Sequence, residues 1–585
     1  MRIHPLIVAW GLLVSPAAAQ WPLDAASDLL LSDGDGDEVQ ALVAPAPDGG
    51  AWVSWFDSDP QGAPAFGFDV RVQRLAPNGE PLLAPGGVLV ADRGFSSTQS
   101  YGLDVGPDGS AYLTFRDDRT GGVQITATRV LPDGSQPWGP LGVQLTQTSL
   151  FVASPRVAVD GDELVVAWTQ DINLALARLD SSGSEVWPNP IVVPPPADTS
   201  LALSDLVALD SGHVGVAWVL TVGGFFGTRQ LWVQRLNAAG QPQWAAAGVP
   251  LELTNSLQLG NFPSIAHDGA GGLVAAWYGT GPLTAYAQRV LADGSLAFGA
   301  STVELSTDAS NLHVSPSIDF DAASGESVAV WVETDASQND RGIFAQKLSA
   351  TGQRLWGAGG VALAPLGSVD VSQANALWAA GGVRAVWSSG GFGNEHLRAA
   401  ATDASGTLTQ GPFDLTTTAA SLGDVATTTD AFGAGLVAWH DNRNGDQDLF
   451  AKSWAPSGAI GPAPGALAVD LPANETVLAG TLEPLGGTLD LVFDAFGSTY
   501  LTAVAFASLG ATTLPFGNDT LYVDPTALGG ELLGFPASAG SSPSWSLPLP
   551  ANPALAGLRL HAQVAGVLPT LEIVLSDGLE IWLGL

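Results

Sequence analysis

Cysteine is absent from this chain of 585 residues, and histidine, methionine and basic residues are scarce. The absence of cysteine excludes a disulfide framework, a thiolate zinc site, a cysteine nucleophile and a lipidated N-terminal cysteine. The seven histidines are spread singly, with no His-Glu-x-x-His and no Gly-x-Ser-x-Gly sequence. Zinc metalloprotease and α/β-hydrolase chemistry therefore lack their first requirement.

Charge is one-sided, because 57 acidic residues stand against 20 basic ones and give a formal net charge of −37. Such a surface repels nucleic acid and anionic lipid, and it attracts divalent cations and basic or neutral partners. Beyond the N-terminus no uninterrupted apolar run approaches the ~20 residues that a membrane helix needs. We expect neither a nucleic-acid partner nor a membrane span.

Residues 1–19 have the pattern of an export signal. Arg2 supplies the positive end, Leu6 to Val14 forms an apolar run too short to span a bilayer, and three alanines before Gln20 offer a small-residue cleavage site. We therefore expect the protein to be secreted or otherwise extracytoplasmic, in the periplasm or at the cell surface.

A short pattern recurs eight times between residues 38 and 458. Each copy ends an apolar stretch on an aromatic residue and later closes a turn with glycine, and a period of this length is typical of propellers, solenoids or tandem arrays. The aromatic residues are 50 to 60 positions apart, at Trp55, Phe115, Trp168, Trp218, Trp277, Trp331, Trp387 and Trp439. The turn glycines are Gly79, Gly134, Gly183, Gly240, Gly294, Gly352, Gly406 and Gly458.

Each repeat has the pattern of four short strands. Between residues 263 and 303, strands are predicted over Ser264 to His267, Leu273 to Trp277 and Ala285 to Val290, and a fourth from Phe298 to near Leu305. Asp-Gly pairs separate these runs, since glycine accepts the positive φ that tight hairpins require. Four antiparallel strands repeated around a ring make a β-propeller.

The predicted fold is therefore all-β, an eight-bladed propeller of four-stranded blades followed by a small β-sandwich. The domain boundaries follow from where the repeat stops and a Gly/Pro-rich stretch begins. We place the signal at 1–19, the propeller at 20–464, a linker at 465–472 and the sandwich at 473–585.

Two positions recur within the blades. The second-strand tryptophans, as in Val-Ala-Trp at 166–168, are interpreted as core residues that fill the space between sheets. A basic residue stands five positions before the turn glycine in six blades, and it forms either an anion-binding ring or, as we favour, salt bridges to acidic loops. These residues are Arg74, Arg129, Arg178, Arg235, Arg289 and Lys347.

The ring is predicted to close by exchange of its ends. The residues after Gly458 make a poor fourth strand, whereas Trp21 to Leu23 and Leu29 to Leu31 look like a fourth strand without a blade. If residues 21–32 complete blade eight, both exposed sheet edges disappear.

The repeats resemble a family of exported bacterial propeller repeats with the motif Trp-x-Asp-x-Arg-x-Gly-x-x-Asp-[Ile/Leu]-[Tyr/Phe]-Ala-Gln-[Arg/Lys]. The resemblance covers residues 38–458 and implies fold and export but no particular activity. The C-terminal sequence, as in Leu547 to Leu558, resembles a β-sandwich module recurrent in exported proteins of environmental bacteria. The last repeat fits the motif best, with Trp439, Asp441, Arg443, Gly445, Asp448, Leu449, Phe450, Ala451 and Lys452.

Ring closure would bring two acidic segments to one face of the propeller. Calcium prefers six to eight oxygens from carboxylates and carbonyls, so these segments predict a candidate calcium site, with a plain solvated acidic loop as the alternative. No other cofactor is expected. The candidate ligands are Asp33, Asp35, Asp37, Asp441, Asp446 and Asp448.

Two functions are compatible with these features. The first is an exported, non-catalytic propeller that binds a protein, glycan or surface ligand through the loops of one face. The alternative is an exported carbohydrate-active hydrolase or lyase with carboxylates at the channel mouth. Several inward carboxylates with a converging arginine or tyrosine would favour the enzyme, and an apolar or alanine-lined mouth would favour binding. His440 beside Asp441 is the nearest approach to an acid/base pair, with a solvated loop as the alternative.

Overall fold

The computed structural model describes residues 21–454 except 23, 59–66, 95–99, 211, 225, 380 and 431–432, and beyond 454 it describes only strand backbones between 467 and 582. The predicted export signal and the turn glycine Gly458 lie outside the described residues. Every regular element in the described part is a β-strand. No helix of that part is long and apolar enough to cross a bilayer.

Thirty-two strands form eight antiparallel four-stranded blades arranged in a ring, which confirms the predicted eight-bladed β-propeller. The first strand of the chain is β1 (Leu29–Ser32). Blades 1 to 4 comprise β2 (Glu38–Pro45), β3 (Ala51–Ser58), β4 (Phe68–Leu75), β5 (Val88–Ala91); β6 (Gly102–Val105), β7 (Ala111–Asp117), β8 (Gln124–Val130), β9 (Val143–Gln144); β10 (Val152–Asp160), β11 (Glu163–Gln170), β12 (Asn173–Asp180), β13 (Ile191–Val193); and β14 (Thr199–Ala208), β15 (Val214–Val222), β16 (Thr228–Leu236), β17 (Val249–Glu252). Blades 5 to 8 comprise β18 (Ile265–His267), β19 (Leu273–Thr280), β20 (Leu283–Val290), β21 (Val303–Glu304); β22 (Asn311–Asp321), β23 (Glu326–Asp335), β24 (Arg341–Leu348), β25 (Val361–Gly367); β26 (Val371–Ala379), β27 (Gly382–Ser389), β28 (His396–Thr402), β29 (Leu408–Asp414); and β30 (Ala426–Thr429), β31 (Gly435–Asp441), β32 (Asp448–Trp454) completed by β1.

The first strand of each blade lines the central channel. Each of these strands contacts the first strand of the next blade around the ring, and β30 of blade 8 contacts β2 of blade 1. In a four-strand meander the turns between strands one and two and between three and four lie on one face. The loops between strands two and three and the links between blades share the other face, called here the loop face.

Ring closure by the N-terminal segment is confirmed. Strand β1 pairs antiparallel with β32, with Leu29 opposite Ala451 and Leu30 opposite Phe450. It therefore occupies the outermost position of blade 8 and covers an edge that would otherwise be exposed.

A buried ion cluster fixes this segment to blade 8. The Asp28 carboxylate lies 2.7 Å from Lys452 Nζ and 2.5 Å from an Arg443 nitrogen, and the Asp28 and Lys452 side chains are 1% and 0% exposed. Lys452 also donates to the Leu415 carbonyl at 2.9 Å. Burial lowers the pKa of Lys452, and the Asp28 charge opposes that shift. The cluster thus joins the N-terminus, blade 8 and the segment after β29.

An aromatic ring from one blade packs on the turn glycine of the next. A Cβ on Gly294 would stand 2.8 Å from Trp244, so only glycine leaves room for the indole. The indole N–H of Trp244 donates to the carbonyl of Ala292 in the same turn at 3.0 Å. The same contact is made by Trp138 on Gly183, Trp187 on Gly240, Phe298 on Gly352, Trp356 on Gly406 and, across the ring closure, Trp21 on Gly79.

This contact alters one predicted strand. The fourth strand of blade 5 begins at Val303, not at Phe298, because Phe298 leaves the sheet to pack on the turn of blade 6. In four blades the side chain that makes this contact is a tryptophan, and it stands four residues after the turn glycine of its own blade. The spacing is visible in the sequence, but we did not predict the contact from it.

The second-strand aromatics are core residues, as predicted. Seven of the eight are at most 1% exposed, and Trp218 is 7% exposed. The predicted salt bridges of the third-strand cations are confirmed as well. Each cation pairs with an acidic residue of its own blade: Arg74 with Asp48, Arg129 with Asp108, Arg178 with Asp160, Arg235 with Asp210, Arg289 with Asp268 and Lys347 with Glu326.

Beyond residue 454 the described backbones form three antiparallel sheets of seven, three and two strands. Strand β33 (Leu467–Ala468) lies within the predicted linker and pairs with β44 (Leu579–Trp582). The sandwich arrangement of this region stays a prediction. The strands are β33 (Leu467–Ala468), β34 (Val477–Leu482), β35 (Thr488–Asp494), β36 (Tyr500–Ser508), β37 (Ala511–Phe516), β38 (Asp519–Val523), β39 (Leu533–Gly534), β40 (Ser538–Gly540), β41 (Ser544–Pro548), β42 (Arg559–Val567), β43 (Ile573–Leu575) and β44 (Leu579–Trp582).

Replacing Asp28 by alanine should destabilise the propeller by about 3–5 kcal/mol, because it leaves Lys452 buried without a counter-charge, while Arg443 keeps its pairing with Asp441. Urea denaturation of the purified protein measures this change. Asp24→Ala is the control, since its exposed carboxylate accepts from the backbone amides of Ala26 and Ser27, and the Asp24 carbonyl that accepts from Lys452 is kept in alanine. Equal stability of the Asp28→Ala variant and wild type would contradict the role of the cluster.

Gly294→Val should destabilise by about 2–4 kcal/mol, because valine would adopt a φ of +83° and its Cβ would meet Trp244. Gly299→Val is a matched control: its φ is +95°, but nothing lies within 4 Å of its added Cβ. Thermal melting should show the smaller loss for the control. Equal losses would mean that backbone strain alone, without the aromatic contact, explains the effect.

Candidate functional site

The inner strands are irregular where they face the second-strand aromatics. In blades 1, 3, 6 and 7 two inner-strand residues stand opposite one aromatic residue, which is a β-bulge. The first residue of each bulge is a non-glycine with a φ between 49° and 55°: Gln40, Ser154, Ser315 and Gln373. Such left-handed conformations are costly for these residue types and concentrate at functional sites.

Two of these strained residues line a cavity of about 570 Å³ at the loop-face mouth of the channel, against blades 5 to 7. Its wall is made of amides, hydroxyls, aromatic rings and small apolar groups. Among the residues that line it, none carries a charge. The polar and aromatic members are Gln258, Asn261, Phe262, Ser264, Trp277, Tyr278, Ser315, Ser317, Gln373 and Asn375.

Hydrogen bonds hold this wall in place and leave one amide unused. Tyr278 donates its hydroxyl proton to Gln258 at 2.9 Å. Gln373 donates to the Gly423 carbonyl and accepts from the Val425 amide at 2.9 Å. The Asn261 Nδ2 is buried and has no hydrogen-bond partner among the described groups, and such groups are rare in native proteins.

Carboxylates on the channel wall are used to join blades. Asp104 accepts from the Val159 amide of blade 3 at 2.7 Å, and burial raises the pKa of Asp104 to about 6. Asp205 accepts from the amide of Ile265 in blade 5, and Asp319 from that of Trp378 in blade 7. Each of the three also accepts from the backbone amide that follows it. These contacts are structural.

One ion pair, Arg156 with Asp205 at 3.7 Å, also lies on the inner wall. Arg156 donates in addition to the carbonyl of Tyr101 in blade 2. Neither charged residue lines the cavity. The wall of this cavity is therefore neither the carboxylate-lined site expected of an enzyme nor the apolar one expected of a binding module, because it is polar and uncharged.

Ring closure brings together five of the candidate calcium ligands, Asp33, Asp37, Asp441, Asp446 and Asp448. The Gln447 amide donates to Asp37. Burial raises the pKa of Asp448, and the negative charges of Asp33 and Asp446 raise it further. Asp448 accepts from Asn444 at 2.6 Å. No three His, Asp or Glu side chains are arranged to hold a metal ion in the part of the chain that can be described. The calcium site stays a prediction.

Glu38, the first residue of β2, is a residue that sequence reasoning missed in this cluster. It is buried, and its Oε1 accepts from the Gly34 amide at 2.9 Å. Burial raises its pKa to about 8, and Asp57 and Asp448 add to the shift. The sequence does contain a signal for this residue, because Glu38 stands at the start of an inner strand and close to the alternating Asp and Gly of residues 33–36.

His440 and Asp441 do not form an acid/base pair, and they do not lie in a solvated loop. Both are buried in β31, where successive side chains point to opposite sides. Burial lowers the pKa of His440, and its ring packs against Gly423. The Asp441 carboxylate instead accepts from the indole N–H of Trp439 at 2.9 Å and from the guanidinium of Arg443.

The Asp-x-Arg part of the repeat motif is thus structural. In blade 2 Arg119 binds Asp117 through its side chain and its backbone amide, as Arg443 does with Asp441 in blade 8. In blade 8 the same arginine reaches Asp28, so the motif also secures the ring closure.

No protein-family model and no curated protein matches the sequence. Solved structures with a similar fold include a protein of unknown function from Dyadobacter fermentans, at 11% identity and a TM-score of 0.35, covering 74% of this chain and 98% of that one. The Dos1 propeller is 12% identical with a TM-score of 0.40, covering 73% and 95%. The polysaccharide lyase Uly1 is 7% identical with a TM-score of 0.34, covering 76% and 93%. With every TM-score below 0.5, these similarities carry no argument about function, and the propeller fold follows from the strand pairing of this chain.

Glu38 should make stability fall as the pH rises. Its pKa is raised from about 4.5 to about 8 on folding, so the protonated group stabilises fully below pH 4.5 and this contribution is lost by pH 8. Glu38→Gln should therefore match wild type at pH 4.5 and exceed it by roughly 1–3 kcal/mol at pH 8. Urea denaturation at both pH values measures this, with the exposed Glu304→Gln as control. A Glu38→Gln variant that tracks wild type at both pH values would contradict the shift.

Proposed function

We propose that the protein is an exported, non-catalytic binding module that takes an uncharged, polyhydroxylated ligand, a glycan, in the cavity at the channel mouth. The observation that carries this proposal is the neutral polar wall of that cavity in a chain with a net charge of −37. Export is proposed from the signal pattern of residues 1–19.

The chemistry of the wall fits sugar hydroxyls. Amide side chains both donate and accept hydrogen bonds, as hydroxyl groups of a sugar do. Asn261 lines the cavity, and its buried Nδ2 has no hydrogen-bond partner among the described groups, so a small rotation of the side chain would offer a donor to a ligand. Phe262, which is 49% exposed, adds an apolar surface for the C–H face of a sugar ring. A charged ligand would find no counter-charge here.

The backbone supports the same site. Ser315 and Gln373 hold left-handed conformations in adjacent blades, with φ of 51° and 52°, and both line the cavity. The same bulge recurs in blades 1 and 3, away from the cavity, and in blades 6 and 7 it sets the position of Ser315 and Gln373 in the cavity wall.

Glycoside hydrolysis requires two carboxyl groups that flank the scissile bond. The residues that line the cavity include no carboxyl group. The carboxylates of Asp104, Asp205 and Asp319 on the channel wall already accept hydrogen bonds from backbone amides of neighbouring blades. Binding is therefore better supported than catalysis.

Asn261→Ala should weaken binding of an uncharged oligosaccharide about 3- to 10-fold, the loss of one neutral hydrogen bond. An array of neutral and acidic glycans identifies the ligand, and calorimetry on the mature protein measures its affinity. Asn339→Ala, on the loop face but outside the cavity, is the matched control.

Four results would contradict the proposal. The array could show no saturable binding of neutral glycans, or a preference for acidic ones. The Asn339→Ala variant could lose as much affinity as Asn261→Ala. Release of reducing ends or unsaturated products from a bound glycan would favour the hydrolase or lyase.

A further inference from the structure

A second cavity, of about 350 Å³, lies between blades 3 and 4, away from the residues of the channel mouth. Its walls are side chains of β12 and β13 on one side and of β15 and β16 on the other. Five of the larger apolar ones are Leu174, Leu176, Val193, Trp218 and Trp232.

The cavity opens at the outer rim of the propeller. Pro194, Pro196, Pro242, Ala246 and Ala247 line it and are themselves exposed, so the entrance lies between them. The three consecutive prolines after β13 have no amide proton and cannot extend its pairing with β12. The entrance is therefore bordered by small and rigid apolar residues without a charge.

The cavity leaves an aromatic core residue incompletely covered. Trp218 is 7% exposed, whereas the equivalent residues of the other seven blades are at most 1% exposed. Its cross-strand neighbour is Trp232, a second large indole that is only partly buried. Protein interiors are normally close-packed, so an open apolar space beside two tryptophans needs an explanation.

The polar groups of two lining residues are already used. Gln234 donates to the Ala245 carbonyl at 2.7 Å and accepts from the amides of Arg235 and Trp244. The indole N–H of Trp232 donates to Gln230 at 3.2 Å. A polar ligand would lose its hydration without new partners from these groups, whereas an apolar ligand would lose nothing.

We propose that this cavity binds a small, uncharged apolar molecule, aromatic or aliphatic. An apolar cavity of about 150 Å³ accommodates benzene, so a space of 350 Å³ corresponds to roughly 14 carbon atoms, the size of two or three rings. This site is independent of the glycan site proposed at the channel mouth.

Titration with N-phenyl-1-naphthylamine, an uncharged dye whose emission rises in apolar surroundings, tests the proposal on the mature protein. We expect one saturable site. Val193→Trp fills the cavity and should weaken dye binding at least tenfold. Val192→Trp is the matched control, because the neighbouring side chain is exposed and outside the cavity.

In a second variant, Ala247→Phe, the new ring extends into the cavity from the exposed rim and displaces no core side chain. This variant decides the question if thermal melting shows that Val193→Trp is unfolded. It should also weaken the dye at least tenfold. Absence of saturable binding, or wild-type affinity in the folded cavity variants, would overturn the proposal. An equal loss in Val192→Trp would overturn it as well.

Discussion

The ring depends on contacts between blades, in which an aromatic side chain lies on the turn glycine of the next sheet. A solenoid leaves its ends open, but a propeller must make the last contact with its first blade. Here Trp21 makes it, resting on Gly79 and donating its indole proton to the Pro77 carbonyl at 2.8 Å. The N-terminal segment thus supplies both the missing strand of blade 8 and the contact that other blades supply to their successors.

Several buried charges lie where this closure occurs. Asp28 pairs with Lys452 and Arg443, Asp441 also pairs with Arg443, and Glu38 lies close by among carboxylates. The seam therefore combines paired buried charges with an acid whose pKa is raised. By contrast, the channel-mouth cavity and the cavity between blades 3 and 4 have no charged lining residue. A propeller fold is compatible with many functions, so function here is inferred from the chemistry of these two neutral sites.

Much of the fold could be predicted from the sequence, because it repeats. The repeat period predicts the blades, and the recurrent tryptophans predict the core. The fixed position of residues such as Arg289 within the repeat predicts the salt bridges. The sites could not be predicted in the same way. Asn261, Ser315 and Gln373 come from three successive blades, and only the radius and register of the ring bring them together. The bulges arise from strand pairing, which one sequence does not specify. The interpretation of His440 as a loop residue was wrong because β31 extends through His440 to Asp441.

Hydrogen exchange measured by mass spectrometry tests the closed ring most directly. If β1 (Leu29–Ser32) completes blade 8, its amides should exchange as slowly as those of β17 (Val249–Glu252), the outer strand of a blade made from one continuous segment. Rapid exchange in β1 while β31 and β32 stay protected would contradict ring closure, since blade 8 would then be stable without its N-terminal strand.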